Sequence, residues 1–118
     1  MFPGVDIVEI ERFARACRRQ PKIVDRLFTM REQEDLHGKS IQSWAGRFTA
    51  KEAILKALGT GLQGITWQDI EIINGPEGEP LAFLSKRAEN IVQARGGSKV
   101  RVSISHDRSK AIALAILS

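Results

Sequence analysis

Glu52 and Lys56 stand four residues apart in the segment RFTAKEAILKALGTG, Arg47 to Gly61. On a helix this spacing makes their side chains neighbours. Phe48 and Leu55 fall on roughly the same side as Glu52, which puts a carboxylate near the apolar edge of an amphipathic helix. Arg47 and Lys51 add cationic charge one turn earlier, and the segment runs into Gly59 and Gly61, where backbone N–H groups can approach a ligand closely. Two chemistries fit. One is a phosphate site, in which a hard cation such as Mg²⁺ takes one or two carboxylates plus phosphate oxygens while Lys and Arg balance the remaining charge. The other is a solvated Glu–Lys pair ahead of an ordinary glycine C-cap.

Asp6 is the second such residue. It interrupts the apolar run GVDIVEI, and a carboxylate buried there without a partner is costly. It therefore either points to solvent or binds something. A metal would need another ligand from elsewhere in the chain, and Glu52 is the candidate. His106 closes VSISH at the expected end of a strand, and nothing around it builds a Ser/His/Asp arrangement. Arg12, Arg15 and Arg19 form a basic stripe. It suits an acidic helix of a partner or a phosphate backbone, or else is a solvated polar face.

The elements that must carry these residues follow from periodicity. Gly4–Ile10 reads as a strand. From Ile10 the period lengthens, and Ile10, Phe13, Ala14 and Cys17 make a helical stripe that Pro21 interrupts. Lys22–Phe28 reads as a short further helix. Thr29 followed by Glu32 is a capping-box pattern, with Gly38 as the stop. Ser40 caps the longest helix, Ile41–Leu58, whose apolar stripe is Trp44, Phe48, Ile54, Leu55 and Leu58. Trp67–Ile73 and Leu81–Leu84 read as strands flanking the turn NGPEGEP, and Ser85–Arg95 as a helix. Val100–Ser105 alternates as a strand, and His106–Ser109 is a polar turn. Ala111–Leu117, apolar on both faces, is expected to be a central, buried strand. The class is α+β with an antiparallel sheet packed on a long helix, in one domain spanning residues 1–118.

Composition narrows the partners. The 118 residues carry a net charge of +4 with a pI of about 9.6, which calls for an acidic protein, an anionic small molecule or nucleic acid. Aromatic content of 6% with no Tyr leaves few base-stacking platforms, and no nucleic-acid-binding signature is present. The sole cysteine, Cys17, excludes an internal disulfide and a Cys-based metal cluster. Neither a membrane span nor a signal peptide is apparent, so the expected location is the cytoplasm, with no membrane and no nucleic-acid partner.

Taken in order, GVDIVEI, FT with Glu32, WAGRFTAKEAILKALGTG, WQDIEI, the GEP turn and VSISH resemble the holo-acyl carrier protein synthases, the small 4′-phosphopantetheinyl transferases, over nearly the whole chain. The resemblance implies transfer of phosphopantetheine from coenzyme A to a serine of apo-acyl carrier protein, with Mg²⁺ as cofactor and 3′,5′-ADP as the second product. It implies that Asp6 and Glu52 bind the metal and that Glu52 and Lys56 are catalytic. Coenzyme A would be bound by Arg47, Lys56, Gly59, Gly61 and His106, and the carrier protein by Arg12, Arg15 and Arg19. It further implies a homotrimer with sites between subunits, and a usual role in fatty acid biosynthesis. Larger relatives carry another acid two residues after the first aspartate. Here that place is Val8, and water is expected to fill the coordination position.

Overall fold

A computed structural model describes all of residues 1–118. Strand β1 (Phe2–Glu9) leads directly into helix α1 (Ile10–Arg19), followed by α2 (Ile23–Leu27), α3 (Met30–Leu36) and the long α4 (Ile41–Leu58). Strands β2 (Ile70–Asn74) and β3 (Pro80–Leu84), helix α5 (Lys86–Ala94) and strands β4 (Val100–His106) and β5 (Lys110–Leu117) complete the chain. The sheets are antiparallel: β1-β5-β4, with β5 central, and the separate hairpin β2-β3.

The capping signals act where the sequence puts them. Thr29 accepts from the Glu32 backbone N–H at 3.1 Å while Glu32 accepts from the Thr29 N–H at 2.9 Å, closing the box that starts α3. Ser40 and Ser85 cap α4 and α5. Gly59 ends α4 in the left-handed region, φ 79°, a conformation that glycine reaches without a Cβ clash.

One strand expectation is corrected. Trp67–Asp69 is a single 3-10 turn, and β2 begins only at Ile70. Asp69 accepts from the Thr66 N–H at 2.7 Å and holds Arg87 at 2.9 Å. The sequence TWQD carries this signal, a threonine followed three residues later by an acid.

The interior is built on small residues. β5 turns Ala111, Ala113, Ala115 and Leu117 inward, all buried. Against them α4 sets Ala50, Ala53 and Ala57, so helix and sheet approach closely. Helix α4 is consequently enclosed on most sides rather than along one stripe, and even Arg47, Thr49 and Lys51 are buried. A second cluster, around Phe13, Leu27, Phe28 and Leu36, anchors α1 to α3. β5 is central, as expected, but it is not buried on both faces: Ile112 and Leu114 stay exposed.

Candidate active site

Strand β1 crosses α4 at Gly4. A Cβ built there would lie 2.1 Å from the Ala53 carbonyl oxygen and 2.5 Å from the Ala57 nitrogen. Only glycine permits this approach, and two residues later the same strand face presents Asp6 to the helix. Gly4→Ala is expected to push β1 off α4. It should cost about 3 kcal/mol, the upper end for overpacking, and lower activity beyond what the lost stability explains. Thermal melts and a turnover assay on the same preparation check this; an unchanged melting temperature would mean that the crossing is not tight.

The crossing brings three of the expected residues together. Lys56 Nζ donates to Asp6 Oδ1 at 2.8 Å, so the helix lysine pairs with the strand aspartate and not with Glu52. Glu52 is half-buried and lies near enough to the Asp6 carboxylate to feel its charge. Burial first, then the Asp6 charge, pushes the Glu52 carboxyl up to about 7, opposed in part by Lys56. The hydrogen bond to Asp6 in turn raises the Lys56 ammonium above its usual value. Two carboxylates held together at the edge of the core are poised to bind a proton or a cation.

The oxygen-only donor set fits a hard divalent cation. No third His, Cys, Asp or Glu joins the pair. The remaining positions would fall to substrate oxygens and water, the usual arrangement for Mg²⁺. Gly59 and Gly61, with φ 79° and 59°, form the turn that ends this helix and line one shallow cleft with Glu52 and Lys56. A larger cleft of about 470 Å³ opens beside Glu52, between β1, α1 and α4, with Phe13, Cys17 and Phe48 among its walls. Arg12, Arg15 and Arg19 are exposed on α1, and none pairs with a carboxylate, whereas Arg18 pairs with Glu11 at 3.0 Å.

Two cations expected beside the phosphates are turned inward. Lys51 is fully buried, donating to the Leu27 carbonyl at 2.7 Å and to Glu32. The second Glu32 oxygen accepts the Ile72 N–H at 2.9 Å. Arg47 is 4% exposed, paired with Asp35 at 3.0 Å and donating to the Ile72 carbonyl. Both tie α4 to α3 and the hairpin. Arg47 still borders a small cavity that it shares with Ser43, Asn74 and His106. His106 is exposed at the end of β4, and this cavity lies toward the opposite end of α4 from Lys56. Arg47 and Lys56 are nine positions apart on the helix, about 14 Å of rise.

Fold and site together define a small α+β transferase, and comparison with known proteins agrees. The family model of the 4′-phosphopantetheinyl transferase superfamily matches residues 3–115, and the chain belongs to that superfamily. Within it, the chain is 42% identical over 118 residues to the holo-[acyl-carrier-protein] synthase of Thermoanaerobacter sp. (strain X514), covering 98% of this chain and 86% of that one. It is 45% identical to the synthase of Geobacter metallireducens, covering 97% and 94%. Among solved structures, the Helicobacter pylori holo-[acyl-carrier-protein] synthase in complex with coenzyme A superposes with a TM-score of 0.86 at 34% identity, covering 98% and 99%. The Neisseria meningitidis synthase superposes with 0.90 at 29% identity, covering 99% and 97%.

Proposed function

We propose that this protein is a holo-[acyl-carrier-protein] synthase, transferring 4′-phosphopantetheine from coenzyme A to a serine of apo-acyl carrier protein and releasing 3′,5′-ADP. The observation that carries the reading is the Asp6–Glu52–Lys56 cluster beside the Gly59–Gly61 turn, within a chain of this superfamily. The serine oxygen forms a bond to the β-phosphorus of coenzyme A, and the bond from that phosphorus to the bridging oxygen breaks. The electron pair leaves with 3′,5′-ADP.

Asp6 and Glu52 would hold Mg²⁺, which supplies charge neutralisation at the diphosphate. Lys56, fixed by Asp6, faces the same oxygens and opposes charge developing on the leaving group. A Glu52 carboxylate oxygen, or a water that Glu52 orients, is the candidate acceptor of the serine proton. Arg12, Arg15 and Arg19 offer an acidic carrier a docking face next to the cleft that ends at Glu52. The lone thiol Cys17 has no disulfide partner, in keeping with a cytoplasmic location. No helix is long and apolar enough to cross a membrane.

The test is intact-protein mass spectrometry of apo-acyl carrier protein incubated with this protein, coenzyme A and Mg²⁺, with EDTA as control. A gain of one phosphopantetheine that EDTA abolishes supports the reaction and its metal. No gain with several carrier proteins would overturn the reading.

A second outcome follows from the raised Glu52 carboxyl. Unfolded, Glu52 titrates near 4.5; folded, near 7. Between these values the folded state binds more protons, so Glu52 makes stability fall as pH rises from about 4.5 to about 7. A cation between the carboxylates relieves this and competes with the proton. Mg²⁺ should therefore raise the melting temperature more at pH 8 than at pH 5.5. Equal shifts at both pH values would remove the ion from this carboxylate pair.

We also propose that the working form is a homotrimer with its sites between subunits. The outer face of β1-β5 is apolar: Val5 is 53% exposed, Ile7 58%, Ile112 43% and Leu114 46%. These residues pair across strands, Val5 with Leu114 and Ile7 with Ile112, forming one continuous patch of the kind that marks an interface. The separation of Arg47 and His106 from Lys56 supports the same assembly. One chain holds two half-sites, and a neighbouring copy could join His106 to the diphosphate end. The number three comes from the resemblance to the family. Leu114→Asp is expected to give a monomer in sedimentation experiments and to lose activity at low protein concentration. A fully active monomer would sink the assembly.

A further inference from the structure

We propose that Arg95 is an additional phosphate-binding residue of this site, one that takes a phosphate group of the nucleotide half of coenzyme A; this rests on the reading above. Arg95 follows the last turn of α5, and its guanidinium stacks on the Phe2 ring, 4.2 Å from the ring centroid. It makes no ion pair and no side-chain hydrogen bond within the chain. Arg31 also stacks on a ring, that of Phe83, but Arg31 is paired with Glu71 at 2.8 Å. Arg95 is thus a guanidinium resting over an aromatic ring, with its donors uncommitted. A planar fork fixed in this way loses little freedom on binding a phosphate.

Its location gives the ligand. A Cβ built on Gly59 would lie 2.5 Å from Arg95 Nη1 and 2.9 Å from its Cζ, so the guanidinium rests on the glycine that ends α4. Glu52, Lys56 and Gly59 continue one face of that helix and share one cleft with Gly61. On β1, Phe2 and Asp6 share a strand face four residues apart, roughly 13 Å at strand spacing. Arg95 therefore sits beyond Lys56 along α4 and meets the cleft through its contact with Gly59, without itself lining it. A diphosphate centred on Asp6, Glu52 and Lys56 would leave its nucleotide end lying along the Gly59–Gly61 turn toward Arg95. The glycine at position 59 thereby serves two ends: it reverses the chain, and it leaves room for the guanidinium.

The experiment compares wild type, Arg95→Gln and Arg95→Lys in steady-state transfer with coenzyme A and with dephospho-coenzyme A, alongside calorimetric binding of 3′,5′-ADP. Arg95→Gln is expected to raise KM for coenzyme A and weaken 3′,5′-ADP binding by roughly tenfold, the loss of one charge-assisted contact, with kcat and melting temperature little changed. Arg95→Lys should recover part of the loss. An effect confined to coenzyme A places the contact on the ribose phosphate; an equal effect on both donors places it on the diphosphate. Unchanged KM and ADP affinity, or a loss that merely follows a lowered melting temperature, overturns the inference while leaving the transferase reading intact. A wild-type protein that transfers nothing and binds no 3′,5′-ADP removes the underlying reading instead.

Discussion

Glu52→Gln is expected to reduce turnover by about three orders of magnitude while leaving the protein folded and, above pH 7, somewhat more stable. The glutamine amide keeps the size of the side chain but removes the charge that repels Asp6 in a half-buried setting. Relief of that repulsion stabilises the fold, because like charges brought together out of water are unfavourable. The same change removes one of the two carboxylates available to a cation and the candidate acceptor of the serine proton. Losses of 10²–10⁴ are typical of a positioned acid–base group alone. Activity and stability are thus predicted to move in opposite directions, a signature that a purely structural Glu52 would not give. Chemical denaturation at pH 8 and single-turnover transfer assays check the two halves. A Glu52→Gln protein with near-normal turnover would sink the site assignment.

Lys51→Met carries the largest expected effect on stability. It leaves the Glu32 carboxylate buried beside α4 without its cation, and breaking a buried pair from one side costs about 3–5 kcal/mol. Adding Glu32→Gln should return part of that loss, since the remaining acceptors would no longer hold an unpaired charge. Urea denaturation of the single and double variants measures both. The competing idea, that Lys51 binds substrate phosphate, predicts a raised KM with stability intact. The geometry argues against it, because Lys51 Nζ is committed to Glu32 and to the Leu27 carbonyl with no exposed surface. Burial also holds the Lys51 ammonium below its ordinary range, with Glu32 opposing. This ammonium is a tie between α4 and α3, adjacent in sequence to Glu52.

Local sequence was sufficient for the helix starts, whereas the meeting of Asp6 with α4 joins residues 50 positions apart and was decided by the tertiary fold. Thr29–Glu32, Ser40 and Ser85 are short-range hydrogen-bonding signals, and their geometry depends on neighbouring residues only. The motif RFTAKEAILKALGTG placed Glu52 and Lys56 on one helix face, with Gly59 and Gly61 in the turn that ends it, because helical spacing and glycine stops are local. Asp6 was conspicuous since a carboxylate inside an apolar strand needs a partner. The same kind of signal, TWQD, was available for the 3-10 turn at Trp67–Asp69 and was outweighed by the β-branched run that follows.

Other features depend on what lies across the chain from a residue. Arg47 and Lys51 read as possible phosphate ligands because both are cations shortly before Glu52 in the same helix. That they turn inward was decided by Asp35, Glu32 and the hairpin, which lie 12 to 25 residues away along the chain. Helix α4 carried too few large apolar residues to announce its burial; its alanines and the inward alanines of β5 make a close helix–sheet contact that hydrophobicity alone does not register. β5 looked buried on both faces because it is apolar on both, yet within one chain only the alanine face is covered. Sequence sets which groups a chain possesses and the local geometry that presents them. Which charges are consumed within the fold, and which faces remain for a ligand or another copy, is settled only when distant segments compete for the same partners.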